Sequence, residues 1–292
     1  MQVLANKYWI AVRTSSNLTA VKNNTSTEVR HTMSCVMSPE GFETLLEPGA
    51  LRTVFQPIAR RRRAVWEVAA LECLTRGPGG TPYEEAPRLF AAARTAGREA
   101  ELDRACVRTA LETAATAGLK DGLFINVLPV TLASDPAFPA FFAAMAAQYD
   151  IPTERLTVEV TEHDRSALEA GLVDGVRALE AFGVRVALDD FGLGPADYRA
   201  LRVWRPRWLK LDDLLFREAR RRKGAWDLVQ SAVADALRWG VDVIAEGLER
   251  PGDMWMAAEL GIDLLQGNFI CAPLSADRAA RAHQFLCGEA TA

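Results

Sequence analysis

Oxygen-bearing side chains stand at the ends of several short apolar segments in this 292-residue sequence. Such segments predict β-strands, and four successive ones end in Glu72, Asn126, Glu159 and the adjacent pair Asp189 and Asp190. A cluster of oxygen donors would repel itself without cations, and oxygen ligands suit hard ions such as Mg²⁺ or Mn²⁺. Adjacent aspartates allow one carboxylate to bridge two ions while its neighbour binds the second. A two-metal site of this kind stabilises the attacking and leaving oxygens in phosphodiester cleavage.

Three later segments add polar residues at matching positions. Lys210 ends the sixth predicted strand, Glu246 ends the seventh, and Gln266 lies in the eighth. Only three lysines follow residue 36 in an arginine-rich chain, which suggests that position 210 needs a compact ammonium. Taken singly, each carboxylate could be a surface charge, and Lys210 could be an ordinary lysine with a buried stem. Their joint occurrence on successive strands favours a functional site.

Strands and helices alternate along most of the chain. The first two predicted strands are separated only by residues 59–64, too few for a crossover helix, so they predict an antiparallel hairpin. The remaining strands alternate with helices, which is typical of parallel βα units. We therefore predict an α/β fold, a modified TIM (β/α)8 barrel with an antiparallel first strand. A doubly wound open sheet would have a similar periodicity. The predicted strands are Thr53–Ile58, Val65–Glu72, Leu123–Val127, Leu156–Val160, Val184–Leu188, Trp208–Leu211, Val241–Ala245 and Leu264–Phe269, and the predicted helices are Glu84–Ala96, Glu99–Ala117, Ala137–Tyr149, Ser166–Phe182, Asp213–Arg238, Gly252–Leu260 and Ala276–Cys287.

Composition restricts the chemistry further. Hydrophobic residues make up 49% and charged residues 25% of the chain, as in a globular protein with a sizeable core. The net charge of −4 gives no indication of a surface for DNA or RNA polymers. The longest nearly pure apolar run, Phe138 to Ala147, is too short to insert across a membrane. With only three histidines, a histidine-rich metal centre is nearly excluded, and carboxylates must carry any hydrolytic chemistry.

The cysteines and the N-terminal segment complete the organisation. Five scattered cysteines without C-x-x-C spacing indicate reduced thiols and a cytoplasmic location. The first 36 residues hold four of the six asparagines and no extended apolar periodicity. We expect residues 1–37 to be a poorly ordered N-terminal extension and residues 38–292 to form the barrel domain.

The motifs at these positions resemble, in order, those of the bacterial EAL phosphodiesterase family. The resemblance runs from about Val54 to Leu274, and the ordered combination is far more specific than any single motif. The matching segments are Phe55-Gln56-Pro57, Leu71-Glu72-Cys73-Leu74-Thr75-Arg76, Asn126, Val158-Glu159-Val160-Thr161-Glu162, Leu188-Asp189-Asp190-Phe191-Gly192, Leu209-Lys210-Leu211-Asp212, Ala245-Glu246-Gly247-Leu248-Glu249 and Gln266-Gly267.

The resemblance implies hydrolysis of cyclic di-GMP to linear pGpG with two Mg²⁺ or Mn²⁺ ions. It implies a role for each matched residue. Glu72, Asn126, Glu159 and Asp189 would hold the first metal, with Asp189 bridging to the second and Asp190 completing it. Lys210 would orient the attacking water, and Glu246 would assist it as a base or as an orienting residue. Arg76 would bind a substrate phosphate, and Gln56, Asn126, Asp212 and Gln266 would contribute to substrate binding or support the pocket.

The sequence departs from the family most clearly after Asp190. The family commonly continues Gly-Thr-Gly-Tyr-Ser-Ser, whereas this chain has Gly192-Leu193-Gly194-Pro195-Ala196-Asp197. In the family this loop couples metal binding to dimerisation, which implies a homodimer as one arrangement, and Glu162 resembles its anchoring glutamate. Loss of the hydroxyls and the fixed backbone angle of Pro195 alter that loop. Leu128 and Cys73 replace a serine and an alanine. The altered loop leaves one main alternative, a non-catalytic cyclic di-GMP receptor; a module that binds no nucleotide would not require so many inward-facing carboxylates.

Overall fold

Eight strands close into a barrel in the computed structural model, which describes residues 4–6, 9–11, 39–62, 65–161, 170–192 and 195–286. The first two barrel strands pair antiparallel, and the following neighbours pair parallel. The last strand pairs parallel with its predecessor and antiparallel with the first, which closes the ring. The predicted barrel is thus confirmed and the open sheet is excluded. The strands are β3 (Arg52–Arg62), β4 (Val65–Arg76), β5 (Gly122–Asn126), β6 (Leu156–Thr161), β7 (Arg185–Phe191), β8 (Trp208–Leu211), β9 (Asp242–Ala245) and β10 (Leu264–Leu265).

Helices cover the outside of the barrel. The main apolar core lies between these helices and the barrel. On the barrel side it is formed by outward-facing strand residues, for example Leu123, Val158 and Leu209, which are all fully buried. The helices are α1 (Pro39–Leu46), α2 (Ala86–Ala96), α3 (Glu99–Thr116), α4 (Pro129–Ser134), α5 (Phe138–Gln148), α6 (Ala170–Ala181), α7 (Pro195–Trp204), α8 (Asp213–Arg221), α9 (Lys223–Arg238), α10 (Pro251–Glu259), α11 (Ala276–Ala279) and α12 (Ala282–Leu286), with a 3-10 turn at Thr153–Arg155.

The inward face of the barrel has an apolar layer below a polar layer. Successive strand residues point to opposite faces, so residues two apart share the interior. A separate small cluster fills the lower layer with Ile58, Ala70, Phe124, Ala187, Ile244 and Leu264, packed against Trp208. Two positions from each of these, towards one rim, the chain carries Gln56, Glu72, Asn126, Asp189, Glu246, Gln266 and Lys210. The strand periodicity therefore places these seven residues in one layer.

Several predicted element boundaries are wrong. Glu72 lies inside β4, which continues to Arg76, and Gln266 follows the two-residue strand β10 instead of lying within it. The predicted helix Asp213–Arg238 is two helices, because Arg222 adopts an extended backbone between them. Helices α1, α4 and α7 were not predicted, since each is short and begins at a proline, which also fits a turn.

The N-terminal segment is described only at two places. Leu4–Asn6 (β1) and Trp9–Ala11 (β2) form a short antiparallel pair that the sequence did not predict. The rest of the segment predicted to be a poorly ordered extension lies outside the described residues. Among the helices that the structure describes, none is both long and apolar enough to cross a bilayer.

Candidate metal centre

Lys210 lies at the centre of a buried group of carboxylates. Burial alone would lower the pKa of Lys210, but the surrounding carboxylates more than offset this and hold its pKa above the ordinary value. The ammonium and its partners are almost completely shielded from solvent. Lys210 Nζ contacts Glu159 Oε1 and lies 2.8 Å from Glu246 Oε1, 3.2 Å from Asp189 Oδ1 and 3.6 Å from Glu72 Oε2. One lysine therefore neutralises only part of a strongly acidic cluster.

Two amide side chains hold Glu72 from either side. Asn126 Nδ2 donates to Glu72 Oε1 at 3.0 Å, and Gln266 Nε2 donates to Glu72 Oε2 at 2.5 Å. Gln266 Nε2 also lies 3.3 Å from Gln56 Oε1, and Gln56 Nε2 donates to the Cys271 carbonyl at 3.1 Å. Gln266 thus holds the carboxylate of Glu72 directly, and Gln56 holds Gln266 in turn.

A bulge in β7 brings both adjacent aspartates to the same site. In a regular strand Asp189 and Asp190 would point to opposite faces. The pairing register with β8 shifts between Leu188 and Phe191, and Asp190 has a φ of 53°, in the left-handed region. This conformation costs about 1–2 kcal/mol for a residue with a Cβ atom, and strain of this kind clusters at functional sites. As a result, carboxylate oxygens of Asp189, Asp190 and Glu246 all lie within 4.8 Å of one another.

The donor set fits divalent cations. Asn126 Oδ1 is buried and has no hydrogen-bond donor among the described residues, although the Nδ2 atom of the same amide is satisfied. A buried carbonyl oxygen without a donor is costly unless something else binds it. Glu72, Glu159, Asp189 and Asp190 supply the remaining oxygens. An acidic, all-oxygen group of this type suits Mg²⁺ or Mn²⁺.

A cavity of about 240 Å³ opens beside the carboxylates. Asp212 forms part of its wall and caps α8, where its Oδ1 accepts the Leu214 N–H at 2.6 Å. Burial raises the pKa of Asp212 to about 7, and neighbouring Asp213 and Glu246 add to the effect, while the Leu214 N–H opposes it. The described residues that line the cavity are Gln56, Asp190, Asp212, Asp213, Glu246, Gly247, Glu249, Gln266, Gly267 and Asn268.

One described site residue that the sequence predicted, Arg76, is not brought into this group. Arg76 ends β4, half-buried, and its Nη1 donates to the neighbouring Thr75 carbonyl at 2.9 Å; it is absent from the described lining of the cavity. Glu162, the predicted loop anchor, lies outside the described residues, as do Leu193 and Gly194 of the altered loop.

Sequence reasoning missed the far wall of the cavity. Asp213 lies in this wall and directly follows the predicted site residue Asp212. The pair of adjacent aspartates was the signal that the sequence offered. Gly247 has a φ of 63°, and a Cβ atom there would lie 2.2 Å from Asp213 Cβ. The close approach of these two segments, which no spacing in the sequence indicates, forms the wall.

The fold and the acidic cluster together define the class of protein. It is a closed (β/α)8 barrel with a reversed first strand and an acidic, metal-compatible centre at one rim. A model of the EAL domain matches residues 40–273, so the chain belongs to the EAL family. Members related to it include cyclic di-GMP phosphodiesterases.

Individual relatives are distant. The chain is 24% identical over 237 residues to the blue light- and temperature-regulated antirepressor BluF of Escherichia coli, covering 80% of this chain and 55% of BluF. It is 26% identical over 152 residues to the cyclic di-GMP phosphodiesterase RocR of Pseudomonas aeruginosa, covering 52% of this chain and 38% of RocR. The chain thus spans about half of these curated relatives or less. A solved manganese and cyclic di-GMP complex of Klebsiella pneumoniae BlrP1 has 27% identity and a TM-score of 0.70, covering 78% of this chain and 57% of BlrP1.

Proposed function

We propose that this chain is a metal-dependent phosphodiesterase that hydrolyses cyclic di-GMP to linear pGpG. The observation that carries the proposal is one buried acidic group, in which Glu72, Glu159 and Asp189 surround Lys210 and Asp190 lies beside Asp189, with the unsatisfied oxygen of Asn126 next to Glu72. Two Mg²⁺ or Mn²⁺ ions bound there would stabilise the attacking and leaving oxygens of a phosphodiester. The manganese and cyclic di-GMP complex of BlrP1 supports the choice of ions and substrate.

The remaining residues have separate tasks in this proposal. Lys210, in contact with carboxylates from four strands, would orient the attacking water. Glu246 is the cluster member that also lines the open cavity, so it is placed to accept a proton from that water. Arg76 at the rim would rotate from the Thr75 carbonyl to bind a phosphate, because a forked cation matches two phosphate oxygens. Gln56, Asp212 and Gln266 would contact substrate from the cavity wall or hold that wall in place.

The second candidate is a cyclic di-GMP receptor that binds without cleavage. One specific observation favours it, namely the replacement of the hydroxyl-bearing residues of the family loop by Leu193, Pro195 and Ala196. The relative BluF is named an antirepressor, which is a regulatory role. Against the receptor stands the complete set of predicted metal ligands.

Turnover separates the two candidates. Purified protein is incubated with cyclic di-GMP and either Mg²⁺ or Mn²⁺, and pGpG is measured by chromatography while nucleotide binding is measured by calorimetry. Product in the presence of metal supports the phosphodiesterase; binding without product supports the receptor. Glu72→Ala should abolish turnover and weaken metal binding, since it removes a ligand. Glu67→Ala, on the same strand but paired with Arg62 away from the centre, is the matched control and should leave both unchanged. Undiminished hydrolysis by Glu72→Ala would refute the assignment.

We also propose a cytoplasmic location and a homodimer as the functional form. The support for the location is that Cys73 and Cys106, both buried, are thiols outside any disulfide. The support for the dimer is the family resemblance alone. Light scattering of the purified chain with and without Mn²⁺ measures its mass, and a monomer under both conditions would contradict the dimer.

A further inference from the structure

Asp103 is a completely buried carboxylate that lies outside the metal centre. It sits in α3, and its side chain has an exposed fraction of 0%. Its Oδ2 atom accepts the Leu128 N–H at 3.0 Å and the Thr131 hydroxyl at 2.5 Å. Its Oδ1 atom is buried and has no hydrogen-bond partner among the described residues. Burying a carboxylate is costly, so the two contacts that Asp103 makes there point to its task in the structure.

Both contacts fall on the turn that joins β5 to α4. Leu128 is the residue immediately before α4, and its apolar side chain cannot cap the helix. Asp103, on a neighbouring helix, accepts the Leu128 N–H, and its bond to the Thr131 hydroxyl ties it to the first turn of α4. The position of this turn is therefore set by a side chain 25 residues earlier in the sequence.

The same turn begins at Asn126, the predicted metal ligand that ends β5. On the barrel side the turn is held by the Val127 N–H, which donates to the Glu159 carbonyl at 3.0 Å. On the opposite side a cavity of about 10 Å³, the size of one water molecule, lies among Phe90, Asp103, Asn126 and Thr161. Packing is incomplete there, so the bonds to Asp103 are the directional contacts that restrain this side of the turn.

We infer that Asp103 is a positioning residue for Asn126, and that it aims the amide oxygen at the cations by holding the turn two residues downstream. This inference rests on the proposed metal-dependent function. Outer residues that orient a ligand typically change metal affinity by about 10–100-fold when they are replaced. Asp103 acts through Asn126, so its contribution should disappear when the Asn126 amide is absent.

The experiment measures Mn²⁺ binding by calorimetry without substrate, on variants shown by circular dichroism to be folded. Asp103→Asn should weaken Mn²⁺ binding about tenfold. Thr131→Val, which removes one of the two contacts, should have a smaller effect in the same direction and serves if Asp103→Asn does not fold. Asp135→Asn is the matched control. Asp135 binds Arg104 of the same helix α3 and the Ala137 N–H, and it does not touch the turn, so Mn²⁺ affinity should be unchanged.

A double-mutant cycle distinguishes positioning from a general loss of stability. In the Asn126→Ala background, Asp103→Asn should no longer change Mn²⁺ affinity, because the ligand it orients is gone. If the two effects are additive, or if Asp103→Asn and Thr131→Val bind Mn²⁺ as the parent chain does, the inference is wrong and the proposed function stands. If the parent chain itself binds no Mn²⁺ or Mg²⁺, the proposed function fails and the inference fails with it.

Discussion

Replacing Lys210 by methionine should strongly destabilise the metal-free protein. Lys210 is fully buried and is within 4 Å of four carboxylates, so the replacement removes the positive charge that these carboxylates share. Removing one partner of a buried ion pair costs about 3–5 kcal/mol. For a domain of 150–250 residues each kcal/mol corresponds to about 2–4 °C in melting temperature. We therefore expect the melting temperature to fall by about 6–20 °C in the presence of a chelator.

Divalent cations should reverse most of this loss. Ions that bind the folded cluster stabilise it by mass action and replace the missing positive charge. In Mn²⁺ the difference in melting temperature between Lys210→Met and the parent chain should shrink to less than half of its value in chelator. Turnover should stay abolished. The assay is differential scanning fluorimetry at pH 8 with chelator or with Mn²⁺.

The control for this prediction is a lysine outside the cluster. Lys223 is 90% exposed and faces Asp227 at 3.9 Å, so Lys223→Met should leave the melting temperature unchanged. A Lys210→Met variant that melts within about 2 °C of the parent chain in chelator would refute the reasoning, since that loss is below 1 kcal/mol. Equal stabilisation of both proteins by Mn²⁺ would refute it as well.

Three further outcomes follow from individual contacts. Asp190→Asn should lose turnover with little change in melting temperature, because asparagine tolerates the φ of 53°, whereas Asp190→Ala should lose turnover and also show a changed backbone in amide hydrogen exchange near the bulge. The free energy of unfolding should fall by a few kcal/mol between pH 4 and pH 7, measured by urea denaturation, since burial raises the pKa of Asp103 to about 7 and the folded state keeps a proton that the unfolded chain has already released. Asp103→Asn should reduce this slope without abolishing it, because burial also raises the pKa of Asp212 to about 7, and an identical slope in both proteins would contradict the prediction. Gly247→Ala should lower the melting temperature, because its Cβ would lie 2.2 Å from Asp213 Cβ at a φ of 63°, while Gly252→Ala, in open space within a helix, should not.

The fold and most of the acidic cluster were predictable because they depend on strand periodicity. A side chain at an inward-facing strand position shares the barrel interior with its counterparts on neighbouring strands. The sequence alone could therefore place Glu159 and Lys210 close together. The two-residue periodicity of a strand still identifies its inward face when the predicted end of that strand is wrong. Glu72 was placed at the end of its strand, lies inside it, and still faces the centre.

What depends on local backbone geometry could not be predicted. The bulge that turns Asp190 towards Glu246 has no periodic signal in the sequence. The same holds for the approach of Gly247 to Asp213 and for the bond from Asp103 to a turn on another element. For Arg76 the phosphate contact stays a prediction, and its Nη1 atom donates to the Thr75 carbonyl.

Anomalous diffraction from crystals grown with Mn²⁺ and cyclic di-GMP tests the central claim most directly. We expect two manganese peaks at the barrel rim, both in contact with Asp189, the first also bound by Glu72, Asn126 and Glu159 and the second by Asp190. Crystals that hold the dinucleotide but show no manganese beside Asp189 would contradict it.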